Sequence, residues 1–173
     1  DLMAWNADGT RMPWRMHSEY LYRLYLDNEL ATNRFPVEGK TVRLSDIGVP
    51  MFVVGTETDH VAPWKSVYKV DNLVRSDDFT FLLTSSGHNA GIVSGAVNPK
   101  RHHRLRTRRL ADPHLAPVDW VASAPKQEGS WWPAWQSWLA EHSSGRTKPP
   151  AMGAPARGYP VLGDAPGEYV KQR

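Results

Sequence analysis

VPMFVVGTETDHVAPWKSVYKVDNLVRSDDFTFLLTSSGH, residues 49–88, decides the fold. It opens on Val49 to Gly55, a continuous apolar run with little alternation, the pattern of a strand buried on both faces of a parallel sheet. A second such run, Phe79 to Thr84, follows a polar turn at Ser76 to Asp78. Between the two, Pro63 is placed for the first turn of a helix, where its missing N–H costs nothing. Val67, Val70 and Val74 then recur at helical spacing, with Lys69 and Asp71 as polar positions between them. Strand, helix, strand over this length is the size of a parallel crossover, so an α/β fold is expected, with helices on the faces of a parallel sheet.

Working outward, residues 1–16 are rich in Trp, Met and turn formers and read as irregular, with a turn near Pro13. Ser18 to Leu30 reads as a helix capped by Ser18. Residues 31–48 read as a connection, with a turn at Gly39 and a short strand within Thr41 to Leu44. On the other side, Lys100 to Arg109 (KRHHRLRTRR) concentrates six Lys and Arg residues and two histidines. A solvated, flexible loop is expected there; the adjacent His102 and His103 point in different directions in any regular structure and are not read as metal ligands. Asp112 to Pro125 reads as irregular. Ser130 to His142 reads as a Trp-rich amphipathic helix with Ser130 as its cap and Pro133 in its first turn. Trp131, Trp135 and Trp138 share one face of it, expected to pack against the sheet. From residue 143 onward Gly and Pro accumulate, so residues 143–173 read as an extended surface tail.

Composition bounds the function classes. A hydrophobic share of 40% with 23% charged residues is ordinary for a globular protein, which argues against wholesale disorder. No apolar run approaches the roughly 18 residues that a membrane-spanning helix needs. The 173 residues contain no cysteine, so disulfides, a thiolate metal site and a cysteine nucleophile are excluded within them. The chain begins at Asp1 rather than Met, and further sequence upstream is expected.

Two polar residues stand just past the ends of the two apolar strands: Asp59, four residues after Gly55, and His88, four residues after Thr84. In open α/β sheets, reactive groups gather at that end. A carboxylate that accepts a hydrogen bond from one imidazole nitrogen fixes the tautomer and leaves the other nitrogen to take a proton from a nucleophile. Acid first, histidine second is the order of an α/β-hydrolase, whose nucleophile comes earlier in the chain. His60 rivals His88, and Glu57 rivals Asp59; pattern alone does not decide between them. No G-x-S-x-G elbow is present. Its nearest approach, Gly91-Ile92-Val93-Ser94-Gly95, has the serine one place late and lies after the histidine.

Five short motifs, in order along nearly the whole chain, resemble the polyhydroxyalkanoate synthases, particularly the class I poly(3-hydroxybutyrate) polymerases. They are Trp5-Asn6-Ala7-Asp8-Gly9-Thr10, the segment Val53 to Trp64, the turn Ser86-Gly87-His88-Asn89-Ala90-Gly91, the run Gly129-Ser130-Trp131-Trp132-Pro133-Ala134-Trp135, and Ala165-Pro166-Gly167-Glu168-Tyr169-Val170. The resemblance implies the C-terminal part of an α/β-hydrolase fold: residues 1–40 as the end of a cap region, 41–142 as the hydrolase core with its last parallel strands, and 143–173 as the tail. It implies catalytic roles for Asp59 and His88 in a Cys-His-Asp triad whose cysteine lies upstream. The reaction implied is polymerisation of (R)-3-hydroxyacyl-CoA into polyester with release of CoA, without metal or cofactor and with this chain inactive alone. Implied partners are the acyl-CoA substrate, the polyester product, a second subunit in a homodimer and the granule surface in the cytoplasm, but no nucleic acid. Thr58 stands where another acidic residue is common, and Asn89 where an aliphatic one is common. These departures bear on chain-length preference and rate. An esterase or lipase of the same fold, with serine in its upstream elbow, is the first alternative. A non-catalytic module that binds a granule or an anion through its basic stretch is the second.

Overall fold

A computed structural model describes residues 9, 11–95, 100–164 and 167–168. The motif at Trp5 to Thr10, apart from Gly9, and the closing motif at Ala165 to Val170, apart from Gly167 and Glu168, lie outside the described residues. The chain divides into two compact units, Asp1–Trp138 and Leu139–Arg173.

Helix α1 (Trp14–Tyr20) begins one turn earlier than the sequence suggests and continues as a π-helical turn over Leu21–Leu26. The Pro13 carbonyl accepts the first bond, from His17 N–H at 3.0 Å, so proline rather than Ser18 marks the start. Two short strands, β1 (Pro36–Val37) and β2 (Lys40–Thr41), form a hairpin through Glu38 and Gly39, both at positive φ. Such a two-residue turn needs left-handed backbone at both positions, which Gly39 adopts without penalty. Leu44–Asp46 is a 3-10 turn rather than strand.

The four-stranded sheet has the order β3-β4-β5-β6 among the described residues. Strand β3 (Met51–Thr56) starts just after Pro50, which has no N–H to give the ladder. It runs parallel to β4 (Phe79–Thr84) in the register Met51↔Phe79 to Thr56↔Thr84, joined by α2 (Trp64–Tyr68) and a 3-10 turn at Lys69–Asn72. Beyond β4 come α3 (His88–Ile92) and β5 (His102–Arg108), then α4 (Pro117–Ser123), β6 (Lys126–Glu128) and α5 (Trp132–Glu141). Both β5 and β6 pair antiparallel, so the sheet is mixed and the fold class is α/β.

The basic stretch is therefore a strand, not a solvated loop. Its period-2 alternation places Arg104, Arg106 and Arg108 on the same face as Leu83, Phe81 and Phe79, to which they are paired. Arg104 donates to the last carbonyls of α4, at 2.6 Å from Ala124 O and 3.4 Å from Val121 O. Arg108 Nε bonds the buried Asp71 carboxylate at 2.5 Å while its guanidinium lies 5.7 Å from the Phe79 ring centroid. The second oxygen of Asp71 takes His114 Nδ1 at 2.6 Å. Internal partners hold Arg104, Arg108 and Asp71. The segment read as irregular between Asp112 and Pro125 contains α4, started by Pro117 at its first position and buried through Trp120.

One face of the sheet carries the aromatic core: Phe81 meets Tyr68 at 4.9 Å and Trp120 at 5.0 Å, both edge to face. Burial pushes the Tyr68 hydroxyl up to about 12, helped by the nearby Asp71 charge. On the other face Phe52 packs against Trp131 and Trp138, at 6.4 Å and 5.6 Å between centroids, so α5 closes the sheet as its tryptophan spacing suggests. Trp135 remains 40% exposed at the rim. In the second unit, a 3-10 turn at Pro155–Arg157 is closed by a bridge between Ala154 and Tyr159, and most side chains are exposed.

Candidate active site

Strand β3 ends at Thr56 and the chain turns back on itself, with Asp59 N–H 3.3 Å from Thr56 O. Asp59 then closes the turn with its own side chain. Its Oδ1 accepts the backbone N–H groups of Val61 and Ala62, both at 2.9 Å, which aims the chain at Pro63 and α2. Its Oδ2 accepts the Thr56 hydroxyl at 3.1 Å and His88 Nδ1 at 2.9 Å. The two oxygens thus divide two duties, one for the turn and one for the imidazole. The Ala62 N–H above all holds this carboxyl well below the usual carboxylate range. Burial opposes the shift; His88, the Val61 N–H and Thr56 reinforce it.

A carboxylate only accepts, so His88 Nδ1 carries the hydrogen and Nε2 presents a lone pair. The imidazole side chain is 49% exposed, against 7% for Asp59. Both line a cleft of about 330 Å³ whose walls include the apolar Val54, Ala62, Val67, Ile92 and Val93 and the polar Thr56 and Asn89. The cleft follows the outer edge of β3, with α2 on one side and α3 on the other. A larger hollow of about 540 Å³, between α1 and the hairpin, offers Arg15, Glu19 and Arg23 but no base held by a carboxylate.

Helix α3 is short, and contacts from outside it fix its place. Gly91 packs so close to β3 that a β-carbon there would stand 2.5 Å from Thr56 Cγ2 and 3.1 Å from Ser85 O. Ser130 Oγ donates to Ser94 O at 2.5 Å, Trp131 Nε1 to Gly91 O at 3.0 Å and Trp132 Nε1 to Ile92 O at 3.0 Å. Three consecutive residues thereby hold the segment that follows His88. Ser130 also accepts the Trp132 N–H, the capping bond expected of it.

Of the residues singled out in the sequence, Asp59 and His88 come together. The rival Glu57 is engaged elsewhere, with His102 Nε2 at 3.0 Å, and the rival His60 lies exposed in the Asp59 turn. Sequence reasoning missed Thr56 and the donors at residues 130–132. The Asp59 turn was legible, since an Asp two and three residues ahead of free N–H groups and just before a proline-led helix is an Asx-turn pattern. The indole donors carried no local signal.

Chemically, the arrangement has the geometry of an oriented general base: the carboxylate fixes the ring and leaves Nε2 facing the cleft as an acceptor. The parallel strand–helix–strand unit within a mixed sheet belongs to the α/β-hydrolase class of fold, and Asp59 and His88 follow its two parallel strands. No protein-family model matches the chain. Poly(3-hydroxyalkanoate) polymerase of Methylorubrum extorquens is 38% identical over 173 residues, covering 100% of this chain and 28% of that protein. Poly(3-hydroxyalkanoate) polymerase subunit PhaC of Cupriavidus necator is 37% identical over 174 residues, again with 100% and 28% coverage. That of Rhizobium meliloti is 35% identical over 173 residues, with 100% and 27%. The chain belongs to the poly(3-hydroxyalkanoate) polymerase family and spans little more than a quarter of the length of these relatives. Among the described residues, no helix is long and apolar enough to cross a membrane.

Proposed function

We propose that this chain supplies the acid and the base of a Cys-His-Asp triad in a longer enzyme that polymerises (R)-3-hydroxyacyl-CoA into polyhydroxyalkanoate and releases CoA. The observation that carries the reading is the Asp59–His88 bond at 2.9 Å, which leaves Nε2 as an acceptor beside a largely apolar cleft. A cysteine from the upstream part of the protein passes its S–H proton to Nε2. The thiolate attacks the thioester carbonyl, the bond from that carbon to the CoA sulfur breaks, and the departing thiolate takes the proton from the imidazolium. In the second half, a chain-end or monomer hydroxyl gives its proton to Nε2 and attacks the acyl-enzyme. An ester forms, and the cysteine sulfur leaves and recovers the proton.

The cleft supports this assignment because Val54, Val67, Ile92 and Val93 suit an acyl chain and because it borders a strand edge that is unpaired among the described residues. A strand beside β3 would bring its nucleophile to His88. Residues 1–40 act in this reading as the end of a cap. Trp14, Met16, Tyr22 and Leu26, each more than half exposed, offer the apolar surface for packing on the rest of the enzyme or on a second subunit. Excluding water there favours the hydroxyl over hydrolysis. Residues 41–142 serve as the core and 143–173 as a tail, in a cytoplasmic enzyme at the granule surface.

The test is CoA release from (R)-3-hydroxybutyryl-CoA by the full-length polypeptide and by its His88→Ala variant. Release should vanish in the variant. Undiminished release, or release by these cysteine-free 173 residues alone, refutes the triad.

A further inference from the structure

The turn that delivers His88 departs from ordinary backbone. Ser86 has φ +79°, a conformation that residues with a β-carbon rarely adopt and that persists only where the surroundings over-determine it. Those surroundings lie on both sides of β4. From the β3 side, Glu57 N–H donates to Thr84 O at 2.9 Å and Thr58 N–H to Ser86 O at 3.1 Å. From the β5 side, Ser85 N–H donates to His102 O at 2.9 Å and His102 N–H to Ser85 Oγ at 3.2 Å. Glu57 follows β3 and His102 opens β5, so the two belong to the strands flanking β4. With neighbouring strands about 4.8 Å apart, their backbones stand roughly 9 to 10 Å from each other. Their side chains nevertheless meet, His102 Nε2 donating to Glu57 Oε2 at 3.0 Å. That bond arches over the end of β4, where the chain turns toward His88.

We propose that Glu57 and His102 form a positioning bridge, a strap over the end of β4 that holds the Ser85–Gly87 turn and so keeps the His88 imidazole in register with Asp59. The inference rests on the polymerase reading above, because turnover is its readout. Neither residue touches reacting atoms. Both side chains are partly exposed, at 31% and 25%, so their replacement leaves the core intact.

The experiment compares Glu57→Ala, His102→Ala, the double variant and Glu57→Gln in the full-length enzyme. It measures kcat per acylatable site, KM for (R)-3-hydroxybutyryl-CoA and Tm, with His88→Ala alongside. Each single alanine variant should lower kcat by about tenfold to a hundredfold with KM near the parent value, the scale of a misplaced catalytic group. The double variant should be no worse than the poorer single one. Glu57→Gln should recover most of the rate, since its amide oxygen can still accept from Nε2. Lower Tm or fewer acylatable sites with unchanged kcat per site would mean a plain structural strut and overturn the proposal, as would additive single effects. His102→Ala repeats the test from the other partner should Glu57→Ala fold poorly. A silent His88→Ala beside a Glu57→Ala of parent kcat sinks the bridge alone; an active His88→Ala sinks the triad reading and the bridge with it.

Discussion

Replacing Asp59 with asparagine should disable the base while leaving the loop in shape, and the structure dictates how. The Oδ1 position faces two backbone N–H groups, Val61 and Ala62, at 2.9 Å each, and backbone amides cannot become acceptors. The carboxamide oxygen must therefore take that position, which turns its NH2 toward Thr56 and His88. The Thr56 hydroxyl can rotate to accept, but His88 Nδ1 can accept only by giving up its hydrogen. The ring then carries its proton on Nε2, where the lone pair is needed. To act as a base the imidazole would have to set N–H against N–H across about 2.9 Å. Loss of an aligned general base corresponds to about 10²- to 10⁴-fold in kcat, with KM little changed. CoA release by the full-length Asp59→Asn enzyme, per acylatable site, measures the rate, and ¹⁵N chemical shifts of the His88 ring report the tautomer. A variant that keeps kcat within threefold of the parent, or whose ring keeps its hydrogen on Nδ1, would refute the reasoning.

Other consequences follow from the same geometry. Gly91→Ala places a β-carbon 2.5 Å from Thr56 Cγ2, about 1 Å inside normal contact, and should cost about 1–3 kcal/mol, visible as a lower Tm together with reduced turnover. An unchanged Tm would show that α3 has room the structure does not give it. Phe81→Ala removes the ring between Tyr68 and Trp120 and should lower the urea-unfolding free energy by about 3–5 kcal/mol. Because the Asp59 carboxyl is held below its unfolded value near 3.9, its contribution to stability is complete above about pH 5 and is lost as pH falls through the folded value. The difference in Tm between parent and Asp59→Asn should shrink as pH falls from about 5 to about 3; a difference that stays constant over that range would contradict this. The outer edge of β3, unpaired among the described residues, should make these 173 residues self-associate in sedimentation, and a stable monomer would argue that the edge is covered.

What the sequence made legible was whatever is local and periodic. Strand β4 coincides with its apolar run, Phe79 to Thr84, because six buried residues in a row leave little alternative. Strand β3 begins two residues later than its apolar run, because Pro50 cannot feed the ladder. The basic stretch misled because charge density was weighed above the alternation of His103, Leu105 and Thr107 with arginines, which is a strand's period. Asp59 and His88 were found from their places after successive strands. The bond from Glu57 to His102 spans 45 residues, and nothing in the neighbourhood of either residue encodes it. Helix α4, seven residues long, was too short for its periodicity to stand out against the prolines around it.

The hold of residues 130–132 on the carbonyls of Gly91, Ile92 and Ser94 sets an order on biosynthesis. As the polypeptide leaves the ribosome, Asp59 and His88 emerge well before the indoles that secure the helix on which His88 sits. About forty further residues must be translated before those donors can dock, a delay of some seconds at ordinary elongation rates. A nascent chain thus carries Asp59 and His88 for a time before the donors at residues 130–132 can dock on the helix that follows. Truncation shortly before Ser130 would leave the Asp59–His88 and Glu57–His102 bonds with their residues in place but without the donors that hold the helix on which the imidazole sits.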